Sequence, residues 1–98
     1  MSSNRARLIE IIRARSFSTG SSIKLVSGQT SSFYFNMKPT MLHPEGSYLT
    51  SQLLLDAIAA DTADYIGGLE MGAVPIATSA STMSHLRGKP LPAIFVRK

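Results

Sequence analysis

The sequence contains no cysteine and no tryptophan, and its two histidines, His43 and His85, lie far apart. The lack of cysteine excludes a disulfide scaffold, a thiolate zinc site and a cysteine nucleophile, and it fits the reducing conditions of the cytoplasm. Histidines without a second ligand at metal-binding spacing do not predict a structural metal site. No apolar run approaches the ~20 residues that a membrane-spanning helix needs. A chain of 98 residues with 44% hydrophobic and 16% charged residues therefore predicts one small globular domain.

Acidic residues are scarce in the first half of the chain. Residues 1–49 hold six Lys or Arg against Glu10 and Glu45, whereas residues 50–98 hold four charges of each sign. The first half is therefore the half that attracts an anion. A small anionic metabolite, RNA and an acidic membrane surface would each satisfy this charge pattern.

The N-terminal residues 4–16 have the spacing of an amphipathic helix. Asn4 is a candidate N-cap, and the stripe at helical spacing consists of Leu8, Ile11, Ile12 and Arg15. The same Arg-rich segment is compatible with an organelle-targeting peptide or with a basic helix for nucleic acid or lipid. Glu10 and the lack of a small-residue cleavage context favour a helix packed on the domain.

The middle of the chain predicts a β-hairpin. Residues 16–22 read as a polar loop, residues 23–26 as a first strand and residues 33–38 as a second, aromatic strand that ends at Pro39. Strand alternation would put Tyr34, Asn36 and Lys38 on one face, opposite a core face of Phe33, Phe35 and Met37. A tyrosine, an amide and an ammonium on one surface could hold a flat anionic ligand. The alternative is a solvated face without a ligand.

Residues 44–63 predict the strongest helix of the chain. Glu45 or Ser47 is the expected start, and the other acidic residues occur toward the C-terminal end. The broad apolar stripe is formed by Leu49, Leu53, Leu54, Ala57, Ile58 and Ala60. We interpret this helix as scaffold without a chemical role.

The last third of the chain predicts a right-handed βαβ unit, and with it an α/β fold. Residues 65–69 read as a strand, 70–73 as a loop, 74–86 as a helix and 91–96 as a second, parallel strand. Gly88 has the position of a helix C′ residue. The chain reaches Lys98 just after that strand, which predicts the front part of a larger α/β domain.

In a βαβ unit, ligands bind at the carboxyl ends of the strands. Gly67, Gly68 and Gly72 would let backbone N–H groups approach a phosphate near the helix N-terminus. Arg97 and Lys98 follow the second strand and form a candidate oligophosphate clamp. The glycines match neither a dinucleotide-binding nor a Walker motif, and the two cations could also be solvated charges.

Three runs of the sequence together resemble one family. Residues 23–38 (IKLVSGQTSSFYFNMK), 67–77 (GGLEMGAVPIA) and 95–98 (FVRK) are similar, in order and spacing, to the N-terminal half of bacterial orotate phosphoribosyltransferases. The resemblance implies a type I phosphoribosyltransferase fold, with residues 1–42 as a small hood and residues 43–98 as the first part of the parallel-sheet core.

The resemblance also implies the reaction and its partners. Orotate and phosphoribosyl pyrophosphate would give orotidine 5′-monophosphate and pyrophosphate, a step of pyrimidine nucleotide synthesis. Mg²⁺ would be bound through the pyrophosphate, and the enzyme would be a cytoplasmic homodimer.

Site residues follow from the matching motifs. Tyr34 and Phe35 match the aromatic pair that contacts orotate, and Arg97 and Lys98 match the pair that contacts phosphoribosyl pyrophosphate. Val26 and Gly72 stand where many members have lysine. Lys24 or Lys38 would compensate for those lysines, so we expect Lys38 at the orotate and Lys24 and Gly72 as further anion contacts.

The family's flexible catalytic loop and its acidic phosphoribosyl-binding loop have no counterpart in the 98 residues. We therefore assign no catalytic residue and expect these residues alone to be inactive or nearly so. A non-catalytic nucleotide-binding or regulatory module is the first alternative, favoured by the missing lysines at positions 26 and 72. A basic nucleic-acid module is the second. Sparse charge and the lack of a nucleic-acid motif oppose it, so neither nucleic acid nor membrane is an expected partner.

Overall fold

The computed structural model describes residues 2–24, 28 and 30–97. Strands β1 and β2 form an antiparallel hairpin, and β3 and β4 form a parallel pair, so the predicted α/β class is confirmed. The elements in chain order are α1 Ser2–Arg15, β1 Phe17–Lys24, β2 Thr30–Phe35, α2 Lys38–Met41, α3 Pro44–Ala57, β3 Ile66–Leu69, α4 Glu70–Leu86 and β4 Ala93–Val96.

Helix α1 packs its apolar stripe on α3, as its sequence predicts. Leu8 and Ile11 are buried against Leu49, and Ile12 and Leu53 pack at the edge of this cluster. Burying a leucine or isoleucine side chain contributes about 1.5–3 kcal/mol, so this contact joins α1 firmly to α3. The predicted N-cap is wrong: α1 starts at Ser2, which puts Asn4 inside the helix.

An ion pair on the surface reinforces the same contact. Arg7 Nε donates to Glu45 Oε2 at 2.9 Å, and Arg7 Nη2 donates to Glu45 Oε1 at 2.8 Å. These hydrogen bonds, together with the positive charge, lower the pKa of Glu45 from its ordinary value of 4.5. A carboxyl whose pKa is lowered by folding stabilises the protein only while it is ionised.

We expect Glu45→Gln to lower stability at neutral pH and to have no effect once the carboxyl is protonated. The stabilisation by the ionised Glu45 carboxylate is complete above pH 4.5. It is lost as the pH falls through the lowered pKa of Glu45 in the folded state. Urea unfolding of both proteins at several pH values measures the difference. Asp64→Asn is the control, because Asp64 forms no ion pair within the described ranges. A difference that persists unchanged at acid pH would contradict the assignment.

The hairpin is longer on its first strand than predicted. Residues 17–22, expected as a polar loop, belong to β1, which pairs Phe17 with Phe35 and Lys24 with Thr30. The register shifts between Thr19 and Ile23. The prediction failed because Ser, Thr and Gly resemble a loop locally, whereas the pairing comes from the distant strand β2. Residues 25 and 26 of the predicted first strand lie outside the described residues.

Strand β2 ends earlier than predicted, at Phe35. The predicted face of Tyr34, Asn36 and Lys38 is therefore wrong, since Asn36 follows the strand and Lys38 begins α2. Pro39 fits the first turn of this helix, where its missing N–H costs nothing. Phe33 and Phe35 are also about half exposed, so they do not form the expected core face.

Helix α3 begins at Pro44 and ends at Ala57. His43 is its N-cap, and its Nδ1 accepts a hydrogen bond from the Gly46 amide at 3.2 Å. The helix is six residues shorter than the predicted 44–63. Asp61 and Asp64 would lie near the negative end of the helix dipole in the longer helix, which disfavours that extension.

The βαβ unit is present, with Ile66 paired to Ala93 and Leu69 paired to Val96 in parallel. Gly88 has a positive φ of 82° just after α4, as predicted for a C′ residue. The predicted loop over residues 70–73 is wrong, because α4 follows β3 directly at Glu70. Within the described residues, no helix combines the length and the apolar character needed to cross a membrane.

The C-terminal end of α4 is fixed to α3 and to β4. Arg87 Nε donates to Gln52 Oε1 at 3.0 Å, and its Nη1 lies 2.9 Å from Asp56 Oδ1. Buried Ser84 accepts a hydrogen bond from the Leu91 amide at 2.8 Å. Both ends of the connection around Gly88 are therefore held in place.

Candidate functional site

A cleft of about 180 Å³ lies between the end of the hairpin and the N-terminal turns of α4. One wall is the segment that runs from Phe35 to Met41, and the other is the start of α4. The residues that line the cleft are Phe35, Asn36, Met37, Lys38, Met41, Met71, Gly72 and Pro75. Three residues expected from the sequence, Phe35, Lys38 and Gly72, thus meet here, although Gly72 is far from the other two in the chain.

Lys38 supplies positive charge to the cleft. Its side chain is exposed, and no carboxylate pairs with it in the part of the chain that the structure describes. The ion pairs found there involve Arg7 and Arg87 instead. An ammonium without a carboxylate partner, beside an aromatic ring and thioethers, suits a ligand with an apolar ring and an anionic group.

The polar neighbours of Lys38 differ from the sequence expectation. The Asn36 side-chain oxygen accepts a hydrogen bond from the Lys38 backbone amide at 3.2 Å, so it stabilises the turn into α2. Tyr34 pairs with Ser18 across the hairpin and is not among the residues that line the cleft. Tyr34 therefore lies one residue away from the cleft wall that begins at Phe35.

Two glycines near the junction of β3 and α4, Gly68 and Gly72, differ in the space around them. A Cβ on Gly68 would lie 2.7 Å from the Ala73 Cβ, so strand β3 and helix α4 need glycine there to pack. A Cβ on Gly72 would meet none of the described residues within 4 Å. Packing thus leaves Gly72 open to a ligand, close to the helix N-terminus, where amide groups attract anions.

Arg97 lies at the same edge of the parallel pair as the start of α4. It follows Val96, whose partner Leu69 directly precedes Glu70. It does not line the cleft. Of the other expected anion contacts, Lys24 pairs with Thr30 at the far end of the hairpin, and Lys98 lies outside the described residues.

Glu70 and the methionines are features of the site that the sequence analysis did not single out. Glu70 has a φ of 49°, a left-handed conformation that costs a residue other than glycine about 1–3 kcal/mol. This conformation turns the chain from β3 into α4 without a loop. Met37, Met41 and Met71 line the cleft from both walls. Their clustering depends on the packing of α2 near α4, and the only sequence signal is a methionine in each of the two motif runs.

The described residues do not build a metal site by themselves. No group of three His, Asp or Glu side chains comes together among them in a way that could hold an ion. Mg²⁺ commonly binds through one or two carboxylates together with substrate phosphates. Any Mg²⁺ at this cleft would therefore need ligands in addition to these residues, and no step below depends on a protein-bound metal.

Three features together define the class of protein. They are the hairpin with its preceding helix, the parallel βαβ unit and the cleft between them. The chain has the fold of a phosphoribosyltransferase fragment. It superimposes with a TM-score of 0.80 on an orotate phosphoribosyltransferase of Mycobacterium tuberculosis, crystallised with Fe(III) dicitrate, at 34% identity over 97% of this chain and 54% of that one. A crystal structure titled as the same enzyme with 5-phospho-alpha-D-ribosyl 1-diphosphate (PRPP) gives a TM-score of 0.77 at 33% identity, with the same coverage.

Curated relatives agree with the structural neighbours. The orotate phosphoribosyltransferase of Rhodopseudomonas palustris strain BisB18 is 57% identical over 97 residues, which are 99% of this chain and 51% of that protein. No protein-family model matches the chain. The predicted resemblance is confirmed, and the chain is a relative of the orotate phosphoribosyltransferases that spans about half the length of the curated proteins it matches.

Proposed function

We propose that the protein containing this chain transfers a phosphoribosyl group from phosphoribosyl pyrophosphate to orotate, and that the cleft is the part of the site that receives the base. The observation that carries the proposal is the meeting of Phe35, Lys38 and Gly72 in one cleft. Relatives named orotate phosphoribosyltransferase support the reaction class.

The base side of the cleft suits orotate in shape and charge. Orotate is a flat ring with a carboxylate, and the Phe35 ring and the thioethers offer apolar contact for the ring. The Lys38 ammonium would pair with the carboxylate, since charge-assisted hydrogen bonds are the stronger ones. Tyr34, one residue before the wall, would contact the base from the hairpin.

The phosphate side of the site would be the carboxyl edge of the parallel strands. The N-terminal turns of α4, open at Gly72, would accept the pyrophosphate group, and Arg97 and Lys98 would bind phosphoribosyl pyrophosphate from the end of β4. Lys24, in the hairpin, is a further proposed anion contact.

The proposed chemistry needs positioning and charge more than proton transfer. The bond between the anomeric carbon and pyrophosphate breaks, and pyrophosphate leaves with the electron pair. The carbon bonds to the ring nitrogen of orotate, whose proton passes to solvent or to the leaving pyrophosphate. Positive charge develops at the anomeric centre, as in glycoside hydrolysis. Groups fixed by the fold would align the base and stabilise the leaving group. We assign no catalytic residue within residues 1–98.

The proposal includes the assembly and setting that the resemblance implies. Mg²⁺ would be bound through the pyrophosphate of the substrate. The protein would be a cytoplasmic homodimer in which Arg97 reaches the partner's site, and the product would enter pyrimidine nucleotide synthesis. The division into a hood of residues 1–42 and a core that begins at residue 43 belongs to the same proposal.

Turnover of orotate tests the proposal directly. The protein at its natural full length is mixed with phosphoribosyl pyrophosphate, Mg²⁺ and orotate, and the formation of orotidine 5′-monophosphate is followed. We expect kcat of ~1–10³ s⁻¹, the range typical of enzymes, and no product with uracil in place of orotate. For residues 1–98 expressed alone, we expect a kcat of less than about a hundredth of the full-length value. A loss of about 2.7 kcal/mol in transition-state stabilisation already lowers kcat by about a hundredfold.

Two results would overturn the assignment in different ways. Binding of orotate or phosphoribosyl pyrophosphate without turnover would identify a non-catalytic phosphoribosyltransferase-like module. Turnover with uracil but not with orotate would show that the cleft receives a different base.

A further inference from the structure

A buried hydrogen bond lies directly behind the cleft wall. The hydroxyl groups of Ser16, between α1 and β1, and Thr40, in α2, share a hydrogen bond. Thr40 is 0% exposed and Ser16 is 3% exposed, so the contact is closed to solvent. Thr40 is two residues after Lys38, and its neighbour Met41 lines the cleft.

Backbone contacts hold both partners of this hydrogen bond. The Asn36 amide donates to the Ser16 carbonyl at 2.8 Å, and the His43 amide donates to the Thr40 carbonyl at 3.1 Å. The Gly46 Cα lies so close to the Thr40 backbone that a Cβ there would collide with the Thr40 carbonyl oxygen. The Ser16–Thr40 hydrogen bond therefore links the start of the hairpin to the segment that forms the cleft wall.

Helix α2 cannot hold this wall by itself. It has four residues, and the amides of Met41 and Leu42 donate to the carbonyls of Met37 and Lys38 at 2.8 and 2.9 Å. A single helical turn is unstable in isolation, because nucleating a helix costs more than its first hydrogen bonds return. The position of α2, and with it that of Lys38, must come from contacts with the rest of the fold.

We propose that the Ser16–Thr40 hydrogen bond is a positioning contact for the site, which holds α2 so that Lys38 faces Gly72 across the cleft. Neither hydroxyl lines the cleft, so both residues act through the backbone of α2. The effect on catalysis rests on the proposed function, whereas the effect on the order of α2 does not.

Amide hydrogen exchange tests the structural half of the inference. In Thr40→Val, which keeps the shape of the side chain and removes the hydroxyl, we expect the amides of Met41 and Leu42 to exchange at least about tenfold faster. Ser16→Ala removes the same hydrogen bond by deleting the other hydroxyl group. It replaces Thr40→Val in the experiment if Thr40→Val does not fold. Ser84→Ala is the matched control, since Ser84 is an equally buried, hydrogen-bonded serine far from the cleft.

Kinetics on the protein at its natural full length test the functional half. We expect Thr40→Val to raise the KM for orotate roughly tenfold with kcat within about twofold, because a small displacement of a binding group weakens its contact. Thr40→Ser should restore the wild-type KM. Adding Thr40→Val to Lys38→Ala should change KM less than about twofold, because the lysine through which Thr40 acts is then absent.

Each outcome separates this inference from the proposed function. Unchanged exchange at Met41 and Leu42 would overturn the positioning contact even in an active enzyme. So would a KM increase in Thr40→Val that persists in full in the Lys38→Ala background. Absence of orotate turnover in the wild-type protein would overturn the proposed function, while faster exchange in Thr40→Val would still support the positioning contact.

Discussion

Lys38→Ala is expected to weaken orotate binding on the order of a hundredfold. A hydrogen bond to a charged group contributes roughly 1.5–3 kcal/mol, and each 1.4 kcal/mol is about a factor of ten in affinity. Among the described residues that line the cleft, Lys38 is the only lysine or arginine, so no neighbouring cation in that described lining replaces it. Titration calorimetry of orotate against the protein at its natural full length measures the effect.

Two variants control for this prediction. Lys38→Arg keeps the positive charge and should lose less than about tenfold, since guanidinium and ammonium differ in geometry but not in charge. Lys89→Ala removes a cation from a separate groove and should leave orotate affinity unchanged. The role of Lys38 is contradicted if Lys38→Ala binds orotate as tightly as Lys89→Ala does.

Gly46→Ala is expected to lower the free energy of unfolding by about 3 kcal/mol or more. Overpacking in a tight contact typically costs 1–3 kcal/mol, and here the new methyl group would meet backbone on α2 as well as the Thr40 side chain. The contact cannot be relieved by turning a side chain, so α2 and α3 must separate. Urea unfolding, with the midpoint and slope both fitted, gives the free energy.

Gly72→Ala is the matched control for this variant. Gly72 is also in a helix, but a methyl group there would meet nothing within 4 Å. Alanine in a helix is more favourable than glycine by about 0.5–1 kcal/mol, so stability should be unchanged or slightly raised. A loss below about 1 kcal/mol in Gly46→Ala would mean that α2 and α3 are not packed as described.

The elements that depend on local signals were predicted well from the sequence. The βαβ unit was recognised because Gly88 marks the end of α4 and short apolar runs flank the helix. The packed stripe of α1 followed from helical periodicity alone. The hairpin start was missed, because residues 17–22 become a strand only by pairing with β2, which is not visible in their own composition.

Several residues of the candidate site were predicted from the sequence, but their meeting in one cleft was not. Phe35, Lys38 and Gly72 were each singled out from the sequence. Phe35 was found by motif, Gly72 by its place near the carboxyl end of a βαβ strand, and Lys38 by an expected strand face that does not form. What brings them together is the packing of α2 near the start of α4, which is a long-range feature. The left-handed Glu70 escaped prediction for a related reason, since glutamate rarely adopts that conformation and its own sequence gives no sign of it.

Mapping orotate onto the backbone amides by nuclear magnetic resonance tests the central claim most directly. On titration into the protein at its natural full length, with phosphoribosyl pyrophosphate omitted, we predict that the largest shifts occur over residues 35–42 and 71–74, the two walls of the cleft. Amides around residues 58–63 and 87–91, which line a separate groove of about 320 Å³, should not move. Shifts concentrated in that second groove, or none in the cleft at saturating orotate, would contradict the account.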